Sequence, residues 1–235
     1  MKNVYWIKYL GLAIFLITIV SINLCLILSQ SFDFNNSPFE IGDAIADKSS
    51  KWIIPYIDGN NSISRVVRVF PNSLIFKPSM LIVGVFLIFY WLKNKNLITE
   101  INKNLNHTKK ILIFGIISAV CLIFHALVLG TDIDIGILKK IRRVILLFFI
   151  IFEVLAQAYL LVILYKIKGK ISHLINSRFL FLKRCLVAIL VLTMIVSIPF
   201  VIMPGNTVFK HMLEWNYFLA VVFFYFLTFF MWRKN

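Results

Sequence analysis

Residues 143–165 read RVILLFFIIFEVLAQAYLLVILY. As a helix rising 1.5 Å per residue, this stretch reaches about 34 Å, enough to cross a hydrocarbon core of about 30 Å. Arg142 and Arg143 stand at one end and Lys166 at the other; between them only Glu153 carries a formal charge. The continuous apolar character excludes the alternating pattern of a membrane barrel strand. Lipid offers backbone groups no partner outside a helix, so the stretch is read as a transmembrane helix.

Five more runs have the same character, at about 4–28, 75–93, 111–130, 185–203 and 216–232. Together with 143–165 they predict an all-α membrane protein. Residues 1–235 form a single polytopic domain, a bundle of six transmembrane helices with a small extracytoplasmic cap from the loop at 29–74. Composition agrees. Of 235 residues, 60% are hydrophobic and 15% charged, and the mean hydropathy is +0.90. A soluble domain has about 45–50% apolar and about 25% charged residues. A cytosolic enzyme, a disordered tail and a nucleic-acid-binding module are therefore excluded. Lys2 and Lys8 give the first run a positive start, but it is too long for a secretory signal and lacks a small-x-small cleavage site. Leu24 before Cys25 argues against a lipoprotein site.

The net charge of +15 is read as a membrane signal. The basic residues sit between apolar runs, and those on the side of the termini are the more numerous: Lys2, Lys8, Lys93, Lys95, Lys103, Lys109, Lys110, Lys166, Lys168, Lys170, Arg178, Lys183, Arg184, Arg233 and Lys234. The positive-inside rule makes that side cytoplasmic. Lys139, Lys140, Arg142 and Arg143 on the other side run against the bias. Usage rich in Lys, Asn, Ile and Phe points to an AT-rich bacterial genome, and the localisation expected is the bacterial cytoplasmic (inner) membrane, with both termini cytoplasmic.

Glu153 is the most informative residue. A carboxyl at that depth costs a few kcal/mol and normally faces the bundle interior or a water-filled cavity. Gln157, at i+4, shares its face. His125 in the third span comes next. The depths of His125 and Glu153 differ by roughly 7–8 Å, which strains a direct bond. The intramembrane polar candidates are thus His125, Glu153 and Gln157, either a functional site or hydrogen bonds that fix packing. No metal site is expected, since the histidines lack ligand spacing. Cys25, Cys121 and Cys185 fall inside apolar runs as small hydrophobes. No cofactor is implied.

The second cluster lies in the first loop. Asp58-Gly59 is a turn signal. Trp52 to Gly59 is apolar enough to pack back on the helix ends, and a short helix is expected near 39–50. Arg65 and Arg68 share a helical face and suit phosphate; Lys77 snorkels to the same level. With Glu214 and Trp215 at the start of the last span, the ligand-binding candidates are Asp58, Arg65, Arg68, Lys77, Glu214 and Trp215. Salt bridges to Asp58, Asp132 or Asp134 are the structural alternative. No nucleophile elbow or phosphate-cradling glycine loop occurs. Gly84, Gly115, Ser118 and Ala119 are expected at close helix contacts.

Glu214-Trp215 opening a final span that contains FFYFLTFF, residues 223–230, resembles the DRAM/FRAG/SFK membrane family. That family is similar to the N-terminal membrane domain of the CWH proteins of GPI-anchor remodelling. Pro55-Tyr56-Ile57-Asp58-Gly59 resembles the family's Pro-x-Ile-Ser-Asp segment after its first span. Here Ile57 precedes Asp58 directly, without the Ser, and Arg142-Arg143 opens the fourth span, where the family usually carries a His-Asn pair at the start of the fourth or fifth. The resemblance carries over Pro55, Asp58, Glu214 and Trp215 alone. It implies six spans, a long first outer loop and a role in lipid organisation without a shared catalytic motif. The function expected is an integral membrane protein that binds or organises lipid at the outer leaflet, with membrane lipids as partners, no nucleic acid, and a lean away from catalysis. Two alternatives stand beside it. One is a lipid-processing enzyme using Glu153 or Asp58 with His125 nearby, and the other is a small proton-coupled transporter using Glu153.

Overall fold

The structure is a computed structural model that describes residues 2–31, 54–68, 70–102, 108–129, 136–203 and 205–233. The expected helix at 39–50, and Asp132 and Asp134, lie outside these residues. Nine helices form among them: α1 (Lys2–Ser31), α2 (Pro55–Asp58), α3 (Ile63–Arg68), α4 (Asn72–Ile101), α5 (Thr108–Val128), α6 (Gly136–Lys166), α7 (Lys168–Ile171), α8 (Ser177–Ile202) and α9 (Thr207–Met231).

Six of these, α1, α4, α5, α6, α8 and α9, are long and apolar enough to span a membrane. Large apolar side chains stand exposed along all of them, among them Val20, Leu74, Val120, Leu147, Leu192 and Phe230. In water such a surface would drive aggregation; in lipid it is the solvent-facing side. The chain is an integral membrane protein.

The helices run past the apolar runs at most ends, because polar residues there continue the helical backbone hydrogen bonding. The last helix begins at Thr207 and takes in Glu214 and Trp215. The fifth span begins at Ser177, capped by Asn176, whose Oδ1 accepts from the Arg178 N–H at 3.1 Å. Lys183 is therefore inside α8.

Each long helix packs on the next in the order α1, α4, α5, α6, α8, α9, and α9 returns to α1. The ring encloses the core. Small residues allow close approach where expected: Gly115 faces the Trp91 indole, Gly84 faces Ile123, and Ser118 and Ala119 are fully buried. Gly11 adds a contact between α1 and α9, where a Cβ would stand 3.0 Å from the Tyr225 carbonyl oxygen.

Both ends of the ring are tied. At the end bearing the termini, Asn3 Nδ2 donates to Glu100 Oε1 at 2.6 Å and Lys8 Nζ to the Trp232 carbonyl at 3.2 Å. The Asn176 and Arg233 amides donate to the Met231 and Leu174 carbonyls. At the opposite end, Asn72 Nδ2 reaches the carbonyls of Cys25 (3.0 Å) and Val66 (2.7 Å) and Ser29 Oγ (2.5 Å), joining α1, α3 and α4. That end also carries α2 and α3, the cap.

Candidate functional site

Glu153 lies near the middle of α6 and is 1% exposed. Its carboxyl meets side chains from three helices. Ser118 Oγ of α5 donates to Oε2 at 2.5 Å. Gln157 Nε2, one turn along α6, donates to Oε1 at 3.1 Å. The Tyr225 hydroxyl of α9 donates to the same Oε1. Gln157 Nε2 also reaches the Val221 carbonyl at 3.2 Å, so Gln157 links α6 to α9 where few other residues do. The expected pairing of Glu153 with Gln157 is present. Trp91 Nε1 of α4 lies toward the same carboxyl but outside hydrogen-bonding geometry, and has no partner.

A cavity with about 20 Å³ of room for a water-sized body opens beside this cluster, with Glu153 and Tyr225 on its wall. Thr18 of α1 lines the same space, and its Oγ1 is buried without a partner. The rest of the wall is apolar, including Met80, Leu122 and Phe149.

His125 does not join the cluster. Its ring bonds to the Arg142 carbonyl, and Nδ1 has no partner. Seven residues of α5 separate it from Ser118, about 10 Å along the axis. Glu153 and His125 are not paired. Among the described residues no group of three or more His, Cys, Asp and Glu could hold a metal ion.

The strongest residue missed in the sequence is Lys183. Counted there among the basic loop residues, it is fully buried in α8. Its Nζ donates to Thr228 Oγ1 at 2.8 Å and sits 3.6 Å from the centroid of the Phe224 ring. Tyr90 of α4 approaches the same Thr228 oxygen at 3.3 Å, and its ring meets that of Tyr225 edge to face at 5.0 Å. The one legible signal was the helix-capping pair Asn176-Ser177, which sets Lys183 seven residues past the cap.

The second cluster separates into two groups. Asp58, Glu214 and Trp215 build the cap. Asp58 Oδ2 accepts from the Ile54 amide at 2.7 Å and Oδ1 from the Asn60 amide at 3.1 Å. The Glu214 carboxyl accepts from the backbone N–H groups of Ser64 and Ile63. Trp215 is fully buried, its ring 4.9 Å from that of Tyr56. His211 Nδ1 meets the Gly59 carbonyl at 2.9 Å, and Asn216 Nδ2 donates to the Tyr56 carbonyl at 2.8 Å. The Tyr56 hydroxyl donates to Asn23 Oδ1 at 3.3 Å; burial raises this phenol above its ordinary value, while that bond lowers it.

Arg65, Arg68 and Lys77 form the other group. Arg65 is exposed, and Arg68 and Lys77 are half-buried. They belong to α3 and α4, which pack together. No side-chain partner for any of the three occurs among the described residues.

No family model matches this chain, and neither a curated protein nor a solved structure with significant similarity to it was found.

Proposed function

We propose that the protein binds anionic phospholipid at the cap end of the bundle, through Arg65, Arg68 and Lys77. The observation that carries this reading is the division of labour among the cap's charges. Asp58 and Glu214 are spent on backbone amides, while the three cations lack protein partners among the described residues. Guanidinium and ammonium groups at a membrane interface suit a phosphodiester. Ile54, Ile57 and Leu74 at the same end are exposed at 51%, 71% and 63%, as befits side chains meeting the interface. The resemblance to lipid-organising membrane families supports the same reading, and the positive-inside rule assigns this end to the outer leaflet.

Native mass spectrometry of the detergent-purified protein with added phosphatidylglycerol or phosphatidylcholine tests it. Wild type retains phosphatidylglycerol in preference. The double variant Arg65→Gln/Arg68→Gln loses it by about tenfold, the equivalent of roughly 1.4 kcal/mol. Equal retention of both lipids, or undiminished binding by the variant, would exclude the site.

A further inference from the structure

Glu153 and Lys183, an acidic and a basic side chain, are enclosed by one ring of helices, at 1% and 0% exposure. Ions in lipid persist only with polar compensation, and each has a different kind. Three donors converge on the carboxyl, a set that suits an anion. Lys183 has a hydroxyl acceptor and the face of Phe224, a set that suits a cation. Thr228 Oγ1 donates its proton to the Phe224 carbonyl at 3.0 Å, so Lys183 and Tyr90 both donate to it. Tyr225 stands three residues before Thr228 on α9 and bonds Glu153. Those two contacts and the short rise between them set the charges on the order of 10 Å apart.

Ser118 makes Glu153 tolerant of two protonation states. Its hydroxyl has one proton and two acceptors in reach, Glu153 Oε2 at 2.5 Å and the Gly115 carbonyl at 3.1 Å. Beside a carboxylate, the hydroxyl donates to Oε2. Beside a carboxylic acid, Oε2–H donates to Ser118 Oγ, and the hydroxyl turns to Gly115. Both states are satisfied without displacing a heavy atom. The adjacent cavity, with about 20 Å³ of room, presents an apolar wall.

We propose that Glu153 is a proton-binding site inside the bundle and that Lys183 is the counter-charge setting its occupancy. One proton adds to an Oε2 lone pair and is given back from it; no other bond changes. Binding takes the buried pair from net zero to one positive charge. The groups facing Glu153 are Ser118 of α5, Gln157 of α6, Tyr225 of α9, Trp91 and Tyr90 of α4 and, beyond Thr228, Lys183 of α8. Thr18 faces it from α1. His125 and Lys8 are engaged elsewhere, at the Arg142 and Trp232 carbonyls. This inference is independent of the lipid site on the cap.

Infrared titration of the full chain in lipid nanodiscs tests it. The expected result is a protonated-carboxyl band that varies with pH in wild type and is missing from Glu153→Gln. Lys183→Met raises the ratio of protonated to ionised Glu153 at fixed pH by about tenfold, from the loss of one charge at that distance in a medium of dielectric about 20. Lys183→Arg, which keeps the charge, stays near wild type. A merely structural lysine would not move this ratio. Should Lys183→Met fail to fold, Lys183→Gln gives the same reading. A wild-type spectrum with no Glu153-dependent band changing with pH would overturn the proton site. An unchanged ratio in the lysine variants would overturn the counter-charge.

Discussion

Trp215 Nε1 donates to the Asn61 carbonyl at 2.8 Å, and this bond fastens the turn between α2 and α3 to the last membrane helix. The carbonyl belongs to a segment with no sheet or long helix of its own. The indole is fully buried, so the bond is shielded from water. Trp215→Phe keeps the ring packing on Tyr56 and removes the donor. A buried carbonyl left unpaired costs about 1–3 kcal/mol. Thermal unfolding in detergent is expected to show that loss, together with faster proteolysis around residues 54–62. Unchanged unfolding and unchanged cleavage would mean that the cap is not held by this bond.

Gly59 closes the same junction from the other side. Its φ of +61° is left-handed, a conformation that glycine adopts without strain. A Cβ there would run into the Val208 carbonyl and the Met212 side chain of α9. Gly59→Ala therefore meets both backbone strain and a collision with a helix that cannot move far. The expected loss exceeds 1 kcal/mol, again with earlier cleavage in the cap. Asn60→Ala, whose backbone is ordinary and whose side chain is exposed, serves as the control and is expected to stay near wild type.

Tyr56 gives the cap a pH dependence. Burial raises its phenol above the ordinary value of 10.0, in spite of the bond to Asn23. A raised folded-state value means the neutral phenol is favoured by folding. That contribution is complete below pH 10 and is lost as pH rises through the folded-state value. Other tyrosines and the lysines titrate in the same range, so the measurement is a difference. Wild type minus Tyr56→Phe, followed by cap proteolysis, is expected to be flat below pH 9 and to fall above pH 10. A flat difference throughout would contradict it.

The membrane spans were legible because a carboxyl or lysine inside twenty apolar residues is costly enough to be rare, so each run stands out. Glu153 was legible for the same reason, and Gln157 followed from helical spacing. Ser118 was legible only as a small residue; its bond to Glu153 depends on how α5 turns against α6, which no single run encodes. Lys183 was misplaced because a lysine near a span end ordinarily snorkels to water. Here the Phe224 ring and Thr228 hold it inside. The outer candidates divide into two groups for a related reason. Charge on a loop reads alike whether it meets a ligand or an amide, and Asp58 and Glu214 meet amides.

The Ser118–Glu153 bond allows a direct test of how far the carboxyl depends on its hydroxyl partner. Ser118→Ala removes a donor at 2.5 Å with little change in volume, leaving a buried carboxylate one bond short. The expected cost is about 1–3 kcal/mol in unfolding measurements. The same substitution in a Glu153→Gln background should cost less, because a neutral amide demands less from its neighbours. The two changes are then non-additive by more than about 0.5 kcal/mol, as expected for groups in contact. Strict additivity would mean that Ser118 acts through the Gly115 carbonyl alone, and that Gln157 and Tyr225 are the only donors the carboxyl uses.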